Sequence, residues 1–500
     1  MAEPAFDLAI IGGGINGCGV ARDAAGRGLK VVLVEQGDLG GATSSASTKL
    51  IHGGLRYLEQ YDFRLVREAL AEREVLLHTA PHIVWPQRFV LPHHSGMRPW
   101  PIVRLGLFAY DHLSLGRTLP GTRGLDLAND PAGVGLKKSY RRAFEFSDCA
   151  VDDSRLVVLC ARDAADRGAE IRPRTRCIAA RREDNLWRLT LHNNRDATQY
   201  ETVTARALVN AAGPWVDEVA AGIAQLPERT TVRLVKGSHI VVDRLFDHDR
   251  AYLFQNGDGR VCFAIPYRTD FTLIGTTDED FSGDPASAAI TDSETDYLLA
   301  AVSEYMERPL SRTMIRWSYA GVRPLQDEGS GRPQQVTRDY LLAFDATEGS
   351  APVLSVYGGK ITTHRRLAEQ VLEQLAPGFP DMTAAWTAHS ALPGGDVPGA
   401  FDEWAETMVA RYAFLDRDRA LRLCRAYGTR VATLLDGVTD AAGLGREFGA
   451  GLSEREVDYL VAHEWAETAD DILWRRTKLG LRLTPDEVGA LDRHLDKVPA

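Results

Sequence analysis

One turn constrains this chain more than any other feature. Gly12-x-Gly14-x-x-Gly17 lies between an apolar run at Phe6–Ile11 and a nearly continuous β-branched run, KVVLVE, at 30–35. Residues 18–27 between them are helix formers, so the first 36 residues read strand, glycine turn, helix, strand. Apolar strands of that kind suit a parallel sheet buried on both faces. Each glycine has a separate job. Gly12 permits the tight turn, Gly14 lets backbone approach a pyrophosphate, and Gly17 lets helix and strand pack closely. The helix start offers free N–H groups and a positive dipole end to phosphates. Glu35 closes the second strand, where a carboxylate can accept hydrogen bonds from a ribose. The expectation is an α/β, Rossmann-like dinucleotide-binding domain.

The motif occurs once, which leaves FAD or NAD(P) as the ligand. Two later segments favour FAD. Asn210-Ala211-Ala212-Gly213-Pro214 closes a strand with a small-residue turn, and Tyr357-Gly358-Gly359-Lys360-Ile361-Thr362 is another glycine turn before a helical run. A nucleotide domain reassembled from three distant segments is unusual for a single-Rossmann NAD enzyme.

A chain of 500 residues exceeds what one hydrophobic core supports, so several units are expected. The units are 1–82, 151–230 and 331–384 for the nucleotide domain. A substrate- or membrane-facing insertion covers 83–150, an antiparallel, β-rich substrate domain 231–330, and a helical C-terminal domain 385–500. In that last unit Ser453 with Glu456, and Thr484-Pro485 with Glu487, read as capped helix starts.

Composition excludes several functions. The net charge of −11 argues against nucleic acid as a partner, so any anion site must be a local cluster of cations. Six scattered cysteines without a CxxC pair argue against a metal site or a disulfide framework. Neither a signal peptide nor a membrane span is legible, so a cytoplasmic protein is expected.

The segment 40–56, GGATSSASTKLIHGGLR, is dense in small and hydroxyl residues. Thr43, Ser44 and Ser45 can donate to phosphate, Lys49 adds charge, and the glycines after His52 allow close approach to a flat ligand. Arg56, Arg323, Arg338 and Lys360 stand in glycine-rich or apolar surroundings, as anion-binding cations do. Arg338 beside Asp339 reads equally as half of an ion pair. Oxidising an alcohol also needs a base poised near neutral pH, and His52 and His239 are the histidines in small-residue surroundings.

Taken in order, TSSASTKLIHGGLRYLE, NAAGPW, KGSHIVV, GTTD, SYAGVRPL, TRDY and YGGKITT closely resemble the FAD-dependent glycerol-3-phosphate dehydrogenases. The resemblance runs from about residue 5 to about residue 490 and includes ADDILWRRTK at 469–478. It implies a Rossmann-like FAD domain of the glutathione-reductase/amino-acid-oxidase type, with a β-rich substrate domain and a helical C-terminal domain. It implies oxidation of sn-glycerol 3-phosphate to dihydroxyacetone phosphate, with hydride passing from C2 to flavin N5 and electrons to a membrane quinone. A peripheral protein on the cytoplasmic face of the inner membrane, held to an anionic surface and often dimeric, goes with it. By matching motifs, Arg56, Arg323 and Lys360 would take the substrate's phosphate and hydroxyl region, with His52, Tyr57 and Thr276 nearby; the residue reading adds Arg338 to the substrate set and makes His52, His239 and Lys360 the catalytic candidates. FAD would be lined by Gly12, Gly13, Gly14, Ile15, Asn16, Gly17, Glu35, Thr43, Ser44, Ser45, Lys49, Leu50, Ile51, Cys177, Ala212, Gly213, Gly358, Gly359, Lys360, Ile361 and Thr362. Departures are small: Ala212 stands where threonine is frequent and His364 where tyrosine is frequent. Rival readings are an amine or amino-acid oxidase on the same fold, and a flavin-containing regulatory protein without turnover.

Overall fold

The computed structural model describes residues 5–55, 58, 62–113, 116–196, 198–226, 232–326, 339–346 and 349–497. Phe6–Ile11 pairs in parallel with Val31–Val34 on one side and with Tyr200–Asn210 on the other. Val353–Tyr357 adds to Tyr200–Asn210 in parallel. Strands from three distant stretches thus form one sheet, and helices Ile15–Gly26, Asp153–Asp166 and His364–Leu375 share a core with it. Every residue of Val31–Val34 is buried, the pattern of a strand covered on both faces. A hairpin, Thr175–Glu183 with Leu186–Asn193, runs antiparallel to Tyr200–Asn210 and contributes to a second core on the opposite face.

Among the described residues, ten strands form a second, mostly antiparallel sheet. Val84–His93 and Arg142–Val151, from 83–150, lie in it beside Ala251–Gln255, Val261–Tyr267 and Phe271–Gly275 from 231–330. The two sequence segments therefore share one sheet. Leu50–Ile51 joins its edge, so the hydroxyl-rich loop at 43–49 bridges the two sheets.

Helices Phe401–Arg411, Arg417–Tyr427, Glu454–Glu464 and Pro485–Leu495 enclose their own core, from Trp404 to Leu495. Thr484 and Glu487 cap each other reciprocally. At Ser453 only half of the expected box forms. The Ser453 side chain accepts from the Glu456 N–H, while the Glu456 carboxylate instead takes Arg422 and the Tyr427 hydroxyl. A guanidinium outcompetes a backbone amide for a carboxylate because its hydrogen bonds are charge-assisted. Among the described residues, no helix is long and apolar enough to cross a membrane.

Candidate active site

A cleft of about 850 Å³ runs between the two sheets, from Glu35 and Gln36 at one end to Arg323 and Lys360 at the other. The glycine turn forms its floor. Gly12 has φ +112°, a left-handed conformation that glycine tolerates. A Cβ on Gly17 would sit 1.9 Å from the Gly12 carbonyl oxygen, so helix and strand touch through that absent side chain. The helix Ile15–Gly26 begins at Gly14 without a side-chain cap on that residue; only the Ile15 N–H is taken, by Ser44 Oγ at 3.0 Å. Asn16 donates from Nδ2 to the Gly358 carbonyl, while its buried Oδ1 has no hydrogen-bond partner among the described residues. Helix-start amides without a side-chain cap at Gly14 and an orphaned acceptor, facing a long cleft, fit a dinucleotide whose phosphates and polar ring edges supply the missing partners.

Glu35 is held by the N–H groups of Gly13 and Gly37, each 2.7 Å away. Burial raises its pKa and those two amides work against that rise. Both oxygens keep further lone pairs for hydroxyl donors. Ala212 and Gly213, closing Tyr200–Asn210, line the middle of the cleft with Cys177. Gly358, Gly359, Lys360, Ile361 and Thr362 line its far wall. Ile11, Gly12, Gly14, Ile15, Asn16, Thr43, Ser44, Ser45, Leu50 and His52 line it as well.

Four residues expected to line FAD do not line the cleft. The Lys49 ammonium bonds Asp153 at 2.8 Å and the Ser45 carbonyl, in a nearly fully buried pair, instead of facing phosphate. Ile51 is fully buried in the core next to Cys149. Gly13 and Gly17 support the turn from behind, Gly13 against the Glu35 side chain. Arg56, Tyr57 and Arg338 lie outside the described residues.

At the other end of the cleft, strands Val232–Asp243 and Ile315–Gln326 pair His239 with Tyr319 and, four rungs along, Val235 with Arg323. His239 donates to or accepts from Thr48 Oγ1 at 3.0 Å and stacks on Tyr319, 4.8 Å between ring centres. Its pKa falls well below the usual value, through burial first and then through Lys49 and Arg323. His52 is also lowered by burial; Asp148 opposes that shift and Lys360 adds to it. Both imidazoles are therefore neutral at pH 7 and able to accept a proton. Arg323 lacks acidic neighbours in sequence but has one in space: Asp278, from GTTD, holds it at 2.6 Å, and the Thr277 carbonyl accepts at 3.0 Å. That carboxylate aims the guanidinium and reduces its net charge. Thr276 lines the same wall, and room for both exists because Gly237 has no side chain. His364 lies outside the cleft, packed against Gly19 with Nδ1 on the Ile361 carbonyl.

Sequence reasoning missed a third wall. Trp474, Arg475 and Lys478 from the C-terminal unit line the cleft, as do Trp215, Trp317 and Tyr319. The clue was ADDILWRRTK, three cations and a tryptophan in ten residues, which read only as part of a helical domain.

Residues 7–365 match the model of FAD dependent oxidoreductases, and residues 385–496 that of the C-terminal domain of alpha-glycerophosphate oxidase. Fold and cleft together define an FAD-dependent oxidoreductase, with FAD as its cofactor. The chain belongs to the FAD-dependent glycerol-3-phosphate dehydrogenase family. It is 54% identical to a glycerol-3-phosphate dehydrogenase of Pseudomonas aeruginosa, over 98% of this chain and 95% of that one. It is 52% identical to a D-erythritol 1-phosphate dehydrogenase of Brucella abortus, over 99% of both. A crystal structure of a Bacillus halodurans glycerol-3-phosphate dehydrogenase complexed with FAD superposes with a TM-score of 0.76 at 27% identity, covering 99% of this chain and 95% of that one.

Proposed function

We propose that this enzyme oxidises sn-glycerol 3-phosphate at C2 to dihydroxyacetone phosphate and passes the electrons to a membrane quinone. The observation that carries the reading is the meeting of Arg323, Lys360, His52 and His239 at one end of the cleft. Bound FAD supplies a two-electron acceptor for the hydride from C2. The protein's own residues do the rest. Arg323, aimed by Asp278, would bind the phosphate and so fix which carbon is presented for oxidation. A neutral histidine takes the C2 hydroxyl proton. Asp148, whose charge favours a protonated His52, makes His52 the better holder of that proton. Lys360 supplies positive charge where negative charge gathers during reduction.

The Brucella relative supports a second substrate, a four-carbon polyol phosphate, at nearly the same identity. Anaerobic mixing of the yellow protein with each polyol phosphate distinguishes them by the rate of flavin bleaching. No bleaching by either would reject the reading.

For the quinone, a surface helix offers the approach. Ile102, Leu105 and Phe108 on Trp100–His112 are 51%, 67% and 58% exposed, three residues apart along one face. Of the nearby arginines, Arg88 is tied to Glu145 and Arg117 lies 3.3 Å from Asp111, while Arg104 is exposed among the apolar side chains. An apolar stripe with a basic residue suits an anionic bilayer interface. Leu105→Asp with Phe108→Asp should stop flotation with anionic vesicles; a variant that still floats removes this helix from the role. Light scattering of the purified protein tests the dimer.

A further inference from the structure

We propose that Lys478, brought into the cleft by the C-terminal unit, is a positioning residue that sets the geometry of the 43–49 loop by sharing Asp153 with Lys49. The proposal deepens the dehydrogenase reading and rests on it.

Asp153 opens the helix Asp153–Asp166 with its side chain fully enclosed. Its two oxygens serve an unusual number of partners. Oδ2 takes the Ser47 hydroxyl at 2.8 Å and the Ser47 N–H at 3.3 Å. Oδ1 takes the Ser154 N–H at 2.8 Å, and the Lys49 ammonium reaches both oxygens. Lys478 enters from the other side. Its ammonium is 2.9 Å from Ser154 Oγ and 4.0 Å from Asp153 Oδ1, and it also bonds the Trp474 carbonyl. Lys478 and Lys49 both occupy left-handed backbone positions, at φ +61° and +59°, so each backbone is bent to deliver its side chain to this carboxylate.

The charges do not balance. Lys49, Lys478 and Arg268 face two carboxylates, Asp152 and Asp153, with the Tyr267 hydroxyl beside them. Asp152 is bonded by Arg268, which leaves two ammonium groups for one carboxylate. Burial and then the Lys49 charge lower the Lys478 pKa to about 7, while Asp153 and Asp152 pull it up. The cluster thus holds or releases its surplus proton near neutral pH.

The charge on Lys478 reaches the site through a chain of contacts. Asp153 holds Ser47, whose carbonyl accepts from the Tyr319 hydroxyl at 2.8 Å. The next residue, Thr48, touches His239, and Tyr319 stacks on the same imidazole. When Lys478 is charged it competes with Lys49 for Asp153; when neutral it leaves Lys49 and Ser47 in full possession. The loop lining the cleft, and His239 against it, respond to the difference.

Flavin bleaching by glycerol 3-phosphate, followed anaerobically in the holoenzyme from about pH 6 to 9, reads this directly. The wild-type rate should carry an ionisation near 7, separate from the histidines, whose pKa values lie lower. Lys478→Arg is always charged and should hold the low-pH rate throughout; Lys478→Met should hold the high-pH rate. The visible flavin spectrum of the substrate-free wild type should shift over the same range. An ionisation that survives in Lys478→Arg overturns the proposal, and so does a wild type that shows none in either readout. If Lys478→Met fails to retain FAD, Lys478→Arg decides alone. Failure of the dehydrogenase reading looks different: glycerol 3-phosphate then bleaches no variant, while the substrate-free titration still reports on Lys478.

Discussion

Trp317 and Trp474 stack with ring centres 4.4 Å apart and planes 20° from parallel, inside the cofactor cleft. One belongs to strand Ile315–Gln326 and the other to the short helix Asp471–Arg476, so this pair joins the second sheet to the C-terminal unit. Trp474→Ala should weaken that junction and loosen FAD. Stacked aromatic pairs contribute about 0.5–1.5 kcal/mol beyond their buried area. The expected outcome is faster FAD loss on dilution, largely restored by Trp474→Phe. Equal retention in the alanine variant would show that the stack does not wall the cofactor.

Two glycines of the turn should behave differently when given a methyl group. At Gly17 the new Cβ meets backbone at 1.9 Å, which no side-chain movement relieves. At Gly14 it meets only Ser44 Oγ at 3.3 Å, an atom that can move. Gly17→Ala should purify colourless or fail to fold, a loss of about 3 kcal/mol or more. Gly14→Ala should remain yellow with weakened binding. The ratio of flavin to protein absorbance measures both.

Arg323→Ala should raise KM for the phosphorylated substrate by at least tenfold while FAD stays bound, since about 2–3 kcal/mol is typical of a charge-assisted hydrogen-bond donor. Asp278→Asn supplies the control. It leaves the guanidinium but removes the carboxylate 2.6 Å from it, so KM should rise less than in Arg323→Ala. An unchanged KM in Arg323→Ala removes it from phosphate binding.

Breaking the Lys49–Asp153 pair should be costly out of proportion to its size. Both side chains are almost wholly enclosed, and Asp153 also anchors Ser47. Removing one member of such a pair leaves a buried charge, at about 3–5 kcal/mol. Asp153→Ala should therefore lower the melting temperature by several degrees more than a surface substitution does. The double change Lys49→Met with Asp153→Leu should recover part of the loss.

The nucleotide end of the cleft was legible because its physics is local. Gly12, Gly14, Gly17 and Glu35 sit within one strand–turn–helix–strand unit, and spacing alone brings them together. The substrate end depended on which distant segments meet. Arg323 stood among apolar residues in sequence, yet Asp278 reaches it across the sheet. Lys49 read as a phosphate ligand because its neighbours are hydroxyls, whereas its partner lies 104 positions away. Trp474, Arg475 and Lys478 were invisible as site residues for the same reason: nothing within the C-terminal helices shows that one face closes over another unit's ligand.

Acid should destabilise this protein through histidines buried in the neutral form. Burial lowers His82 to about 3 and His364 to about 4. Unfolding restores the ordinary value near 6.5. The unfolded chain therefore binds more protons than the native one between pH 6.5 and those lower values, so stability rises with pH across that window and is fully present above it. Falling from pH 7 to 5 costs about 2 kcal/mol for each such histidine, at 1.36 kcal/mol per pH unit below 6.5. His82→Gln leaves a group that does not titrate. Its unfolding free energy should fall about 2 kcal/mol less than the wild type's between pH 7 and 5, with midpoints measured in urea at both values. Parallel losses in variant and wild type would place the acid sensitivity elsewhere.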